Sequence, residues 1–250
     1  MKFIKRSKSS KRNDPFSISI SDLMAGILMI FILALISMFF MNKSENERNN
    51  HQVEQRKEIL EFMQDLPEAK SGKITIDTEN GVILITTNDS GGKNHEKTPI
   101  FESGESRLTP EGEKLIRAIA AKIDDSRNKK KEAWQSIDTI IIEGHTDNVQ
   151  YNDPSSDKNN LKLSVDRAIA TYKLTLNALS LNPENPNQDI SNNTNSNVVK
   201  KWKNADDQFI FSVAGYGESR LINKAAPSSA ENRRIEFRFL LKHHKIKDLK

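Results

Sequence analysis

The 250-residue sequence contains no cysteine. That removes disulfide frameworks, thiolate metal sites and a lipid-modified cysteine anchor from consideration. Acidic residues are absent from the first twelve positions, where Lys2, Lys5, Arg6, Lys8, Lys11 and Arg12 stand. Those cations outnumber the net charge of +4, so the remaining residues carry a slight excess of acid. The pI near 9.1 is therefore a topology signal and not a nucleic-acid footprint. Charge is missing again from residues 23–41 (LMAGILMIFILALISMFFM). Such a run, at about 1.5 Å per residue, spans roughly 28 Å, close to the hydrocarbon thickness of a bilayer.

A cleaved signal peptide would have a shorter apolar stretch followed by small residues. Here the run ends in Met38-Phe39-Phe40-Met41-Asn42, so an uncleaved anchor is expected. By the positive-inside rule the basic tail, residues 1–15, stays in the cytoplasm and the C-terminal part is exported. The expected place is a bacterial inner membrane, crossed once by residues 16–41, with a periplasmic domain beyond.

Asp22 stands at the head of the apolar run. An ionisable group inside a membrane segment costs free energy and marks an ion or proton path by default. The rival role is a helix N-cap. Asp14-Pro15 is a better helix start, with Asp14 as cap and Pro15 at the first position. Asp22 then lies two turns inside, on a face shared with Gly26, Met29 and Leu33.

Residues 42–72 are polar, with Val53, Ile59, Leu60, Met63 and Leu66 at loosely helical spacing, and read as a stalk. From Lys73 the period shortens. Ile74, Ile76 and residues 82–85 are strand-like and flank Asn80-Gly81, a hairpin signal. A loop with Gly91-Gly92 leads to Thr109-Pro110, which announces a helix with Leu115, Ile116, Ile119 and Ile123 on its buried stripe. Residues 137–143 form the clearest buried strand. Ser164 is expected to start a second helix whose apolar face is Val165, Ile169, Tyr172 and Leu176. Residues 209–214 and 235–241 read as further strands. Between them and the second helix, residues 182–197 hold seven asparagines and two prolines and read as a solvated insert. The domain of residues 73–241 is thus expected to be an α/β sandwich, a mixed sheet with helices on one face, followed by a basic tail at 242–250.

Asp147 lies just past the carboxyl end of the buried strand, and Arg167 in the expected first turn of the second helix. A fixed carboxylate and a fixed guanidinium suit a zwitterionic ligand, with backbone N–H groups of the helix start adding to the anionic end. A structural salt bridge between the two remains the alternative. Glu143, His145 and Asp147 could suggest a metal. His51, His95, His243 and His244 have no ligand spacing, however, and a structural histidine at a strand end is the expectation. Neither a Ser-His-Asp order nor a phosphate loop is present, so no catalytic residue, metal or cofactor is assigned and the chain is not read as an enzyme.

Four ordered strings carry a family resemblance: Gly144-His145-Thr146-Asp147; Asn160 with Leu163-Ser164 and Arg167-Ala168; Gly215-Tyr216-Gly217-Glu218-Ser219; and Asn232-Arg233-Arg234-Ile235-Glu236. They resemble the OmpA-like peptidoglycan-binding domain. The resemblance implies that Asp147 and Arg167 grip the diaminopimelate of the stem peptide, supported by Thr146, Asn160, Ser164 and Arg233. The wording of residues 164–168 and the long loop before them resemble the MotB branch. Ser21-Asp22-Leu23-Met24, with Met29 and Phe31, is similar to the start of the transmembrane helix of MotB-type stator subunits. In that family the aspartate matching Asp22 carries the translocated ion, proton or sodium. The family implies a homodimer inside a ring of a MotA-like multi-span subunit, a five-to-two complex held still by the wall. Two settings share this architecture, flagellar rotation and the Zorya anti-phage defence system. The Asp14-Pro15-Phe16 lead-in, the Ala25-Gly26 pair and the short stalk lean towards the ZorB type, with a ZorA-like partner. A passive wall tether, with Asp22 only a cap, is the reading of another class.

Overall fold

The computed structural model describes residues 15–86, 100–102, 104–149, 159–180, 201–204 and 206–242. The basic tail to residue 14, the Gly91-Gly92 loop, the Asn-rich insert and the residues after 242 lie outside them. The chain divides into two compact units, Met1–Asn50 and His51–Lys250.

Helix α1 (Pro15–Met63) supplies the described part of the first unit. Its side chains from residue 22 to residue 50 are all exposed, on every side of the helix. Polar faces are missing over residues 23–41, and a helix apolar all round suits lipid. The helix is long and apolar enough to cross a membrane. Asp22 is one of its exposed residues, two turns inside the helix that starts at Pro15.

In the second unit a short helix α2 (Pro67–Lys70) leads into β1 (Ile74–Asp77) and β2 (Val82–Thr86). These two pair antiparallel around the Asn80-Gly81 turn. Asp77 Oδ1 accepts from the Asn80 N–H at 2.9 Å, and Gly81 takes φ +73°, a left-handed conformation that suits glycine. Helix α3 (Pro110–Lys129) begins at the expected cap, where Thr109 Oγ1 accepts from the Gly112 N–H at 3.0 Å. Ile116, Ile119 and Ile123 are buried along it, with Leu115 at the margin. Then come β3 (Ile137–His145), α4 (Asn160–Ser180), β4 (Phe211–Gly215) and β5 (Arg234–Leu241). The sheet order is β1-β2-β5-β3-β4. Only β3 and β4 run parallel, so the sheet is mixed.

Side chains alternate across each strand. Ile83, Ile85, Ile140, Ile142, Ile235, Phe237 and Phe239 enter the core with the stripe of α3. Ile59, Leu60 and Met63, the last apolar residues of α1, are fully buried in the same core, and Leu66 nearly so. The segment read as a stalk therefore ends inside the hydrophobic core.

Helix α4 departs from its sequence reading in two ways. It starts at Asn160, one turn before Ser164, because the Asn159 side chain accepts from the Lys162 N–H at 2.9 Å and caps it. Arg167 accordingly lies in the second turn. Its most buried stripe is also not Val165, Ile169, Tyr172 and Leu176, which are half-buried, with Tyr172 and Leu176 packed against the core. Ser164, Ala168, Thr171 and Thr175 are fully buried instead. The cause is the close approach of α4 to the sheet. A Cβ on Gly144 would sit 2.0 Å from the Ser164 carbonyl oxygen, and one on Gly215 would sit 2.4 Å from Val165 Cγ2. Two strand glycines remove that obstacle, and only small side chains fit between helix and sheet.

Candidate functional site

The carboxyl end of β3 carries the loop Thr146-Asp147-Asn148-Val149. Three ties hold its backbone. The Thr146 N–H donates to the Gly217 carbonyl at 2.9 Å, and the Asn148 N–H to the Pro227 carbonyl at 3.3 Å. From the start of α4, Asn160 Nδ2 donates to the carbonyls of Asp147 (3.3 Å) and Val149 (3.0 Å), and to Glu218 Oε2 at 2.9 Å. Ser164 completes the clasp: its Oγ accepts from the Gly217 N–H at 2.9 Å and donates to the Leu161 carbonyl at 2.7 Å.

Asp147 itself is buried, with both oxygens engaged. Oδ2 accepts from Arg233 Nη1 at 2.6 Å, and Oδ1 from the Val149 N–H at 3.2 Å. The cation that reaches Asp147 is thus Arg233, and the salt bridge with Arg167 considered from sequence is not what forms. Arg167 is held from another side. Its Nε donates to the Glu105 carbonyl at 2.9 Å, and its guanidinium lies 5.1 Å from the centre of the Phe101 ring. Those contacts fix the place of a flat cation. The structure therefore links Thr146, Asp147, Asn160, Ser164 and Arg233 into one hydrogen-bonded cluster around Gly217. Arg167 is on the same helix as Asn160 and Ser164, and Asp22 belongs to the other unit.

Behind this loop, on the sheet face turned away from the core, lies a set of charges that sequence reasoning did not assemble. The register puts Glu143 opposite Glu236, His145 opposite Arg234 and Ile141 opposite Arg238. Two carboxylates directly opposed would repel, and arginines resolve that. Arg238 Nε donates to Glu143 Oε1 at 2.9 Å and its Nη2 to Glu236 Oε2, while Arg234 Nε donates to Glu236 Oε1 at 2.6 Å. His145 is 1% exposed, and its Nε2 lies 3.5 Å from Glu236 Oε1 and 3.8 Å from Glu143 Oε2. Among the described residues neither ring nitrogen has a hydrogen-bond partner, and neither has Glu143 Oε2. The His145 ring stacks on Tyr216 at 5.3 Å, and the Arg220 guanidinium lies 3.6 Å from the centre of the Tyr216 ring.

Burial holds the His145 imidazole below its ordinary value, with Arg234 adding to that and Glu143 and Glu236 opposing it. Burial pushes Glu143 up, but His145 and the Arg238 guanidinium outweigh it and leave the carboxyl below its usual range. Donor atoms of Glu143, His145 and Glu236 do converge within 4.8 Å, as a metal site would need. The two carboxylates are already compensated by two guanidiniums, so a divalent ion would bring uncompensated charge into a buried place. Glu236, not Asp147, completes that triad, and the alternation Arg234-Glu236-Arg238 against Ile235-Phe237-Phe239 was the sequence signal for it.

Several solved structures share parts of this architecture. A MotB-like protein from Desulfovibrio vulgaris is 19% identical, with 79% of this chain and 98% of that one covered and a TM-score of 0.46. The cell wall anchor of the T6SS from Pseudomonas aeruginosa is 18% identical, covering 74% and 97%, with a TM-score of 0.44. For the periplasmic domain of Helicobacter pylori MotB the figures are 15%, 67%, 80% and 0.41. No curated protein sequence matches. The OmpA family model matches residues 100–234, a span that holds the whole clasp, Arg167 and, of the buried charges, Glu143, His145 and Arg234. With more than half of its length covered by that match, the chain belongs to the OmpA family.

Proposed function

We propose that this chain is a peptidoglycan-anchored stator subunit of an ion-driven motor in a bacterial inner membrane. One juxtaposition in the sequence carries the reading. A carboxylate, Asp22, is set two turns into an apolar helix, and the same chain continues into an OmpA-family domain with a clasped Asp147 and a pinned Arg167.

In the wall-binding step, Asp147 receives the ammonium of a zwitterionic centre and Arg167 its carboxylate. Diaminopimelate in the stem peptide has such a centre. Thr146, Asn160, Ser164 and Arg233 hold the loop and the carboxylate in register. Pre-positioning matters because Asp147 is already desolvated, so the ligand's ammonium replaces part of an existing ion pair and does not strip water from a free carboxylate. Peptidoglycan is bound, not cleaved.

In the ion step, Asp22 takes up an ion on one side and releases it on the other. Each elementary charge moved yields about 2.3 kcal/mol per 100 mV. One helix cannot line a path, so two copies work within a ring of a MotA-like or ZorA-like multi-span subunit. The proposed layout is a cytoplasmic tail to residue 15, a span over 16–41, a periplasmic connector over 42–72 and the wall-binding domain from 73. The setting proposed is anti-phage defence of the Zorya type, with this chain in the ZorB role. Its support is the Asp14-Pro15-Phe16 lead-in, the Ala25-Gly26 pair and the short connector. A flagellar stator is the second setting.

The wall contact is tested with full-length protein in detergent and purified peptidoglycan sacculi. Asp147→Ala and Arg167→Ala should each lose co-sedimentation while keeping the wild-type far-UV and near-UV spectra. Retained binding in both variants would remove the site. Phage challenge of cells carrying the chain with its neighbouring genes separates defence from motility.

A further inference from the structure

We propose that His145 is a positioning residue for Asp147, and that protonating it loosens the wall-binding loop. The inference rests on the reading of Asp147 as part of the wall site. It starts from connectivity. His145 is the last residue of β3, two residues before Asp147. Its ring stacks on Tyr216, whose N–H donates to the Gly144 carbonyl at 3.0 Å. The next residue, Gly217, accepts from the Thr146 N–H and donates to Ser164 Oγ. Ring and backbone thus fasten the same short stretch, one from below and the other from the side of α4.

The groups facing His145 come from three elements: Glu143 on its own strand, Arg234, Glu236 and Arg238 on β5, and Tyr216 with Arg220 after β4. With His145 neutral, two carboxylates meet two guanidiniums and the buried set carries no net charge. Protonation adds a positive charge to it and turns both ring nitrogens into donors. Glu236 already has both oxygens engaged by Arg234 and Arg238, and Glu143 Oε1 is taken by Arg238. Among the described residues the carboxylate oxygen near the ring with no hydrogen-bond partner is Glu143 Oε2, 3.8 Å from Nε2. Closing that gap to hydrogen-bond distance moves the ring by about 1 Å. Among the described residues no hydrogen bond of the neutral ring resists this, and stacking and burial hold it. The displacement falls on the Tyr216 stack, and through Gly217 on the clasp that sets Asp147.

The test measures binding of the full-length protein to purified sacculi at about pH 7.5 and about pH 5, on either side of the ordinary histidine range. Wild-type affinity should fall severalfold at the lower pH, because protonation of His145 is then linked to release of the wall. His145→Phe keeps a ring against Tyr216 but cannot titrate, and should bind at the lower pH as it does at the higher. His145→Gln, a planar amide, is the second variant if the first does not fold, with the same expectation. A wild type insensitive to pH, or variants that retain its pH profile, would overturn the role of His145 and leave the wall site standing. A wild type that ignores sacculi at both values would overturn both.

Discussion

Glu143 shows how one buried residue sets the acid response of this fold. It is 1% exposed and bonded to Arg238, whose side chain is about a quarter exposed at 28%. Glu143→Gln leaves that guanidinium short of a partner that is only half replaced by water, so a loss of about 2 kcal/mol in denaturant unfolding is expected. The pH dependence follows from two depressed values. His145 is held below its ordinary 6.5 in the fold, so its contribution is complete above that value and is lost as pH falls towards the folded pKa. Glu143 is held below its ordinary 4.5, so its contribution is present above that value and disappears at still lower pH. Stability should therefore decline in two acid steps, and His145→Phe should remove the first and move the second to higher pH, because it also takes away one of the groups that hold Glu143 down. At this scale the places of Asp147 past a strand end and of Arg167 on a helix were legible, and Asn160 was named only through the motif it shares with the OmpA-like domain. Glu236 was not joined to His145, because the pairing of β3 with β5 spans some ninety residues and a register cannot be read from one strand.

Helix α4 carries the lesson at the level of elements. Its apolar residues recur at helical spacing, and that spacing correctly gives a helix. It does not give the most buried stripe, since Val165, Ile169, Tyr172 and Leu176 are half-buried and Ser164, Ala168, Thr171 and Thr175 fully so. The deciding residues are Gly144 and Gly215, which sit on other elements and let two backbones approach. Hydrophobic period cannot register a contact made by missing side chains. Gly144→Ala should therefore be far more harmful than its one methyl suggests. The added carbon meets a backbone carbonyl at 2.0 Å, which no side-chain rotation relieves. A loss of about 3 kcal/mol is expected, at the upper end for overpacking, read as a lowered denaturant midpoint. Ser164→Ala should be milder, about 1 kcal/mol for the lost Gly217 N–H bond. It should also weaken sacculus binding, because that bond is part of the clasp. By contrast, α3 matched its sequence signal, since Thr109-Pro110 acts locally and needs nothing from elsewhere in the chain.

For the whole molecule, the reading joins two chemistries with no residue in common, and that makes it separable by experiment. Asp22 is an exposed carboxylate on an apolar helix, and Asp147 a buried one clasped on a folded domain. An anchored motor needs both, because an ion moving down its gradient does work only against something held still. A passive tether needs only the second. The variant that distinguishes them is Asp22→Asn, which keeps size and polarity but cannot carry an ion. Reconstituted with its multi-span partner in vesicles, it should conduct no ions above vesicles lacking the complex, while sedimenting with sacculi like the wild type. Asp147→Ala should show the converse, with ion uptake retained and wall binding lost. If Asp22→Asn conducts as the wild type does and cells carrying it are fully functional, the carboxylate carries no ion and the chain is a tether. Sequence made the two halves legible separately, through charge absence at one end and four ordered motifs at the other. In the proposed motor the work they do together depends on a partner ring, and for that reason ion flux, measured in the assembled complex, decides the matter.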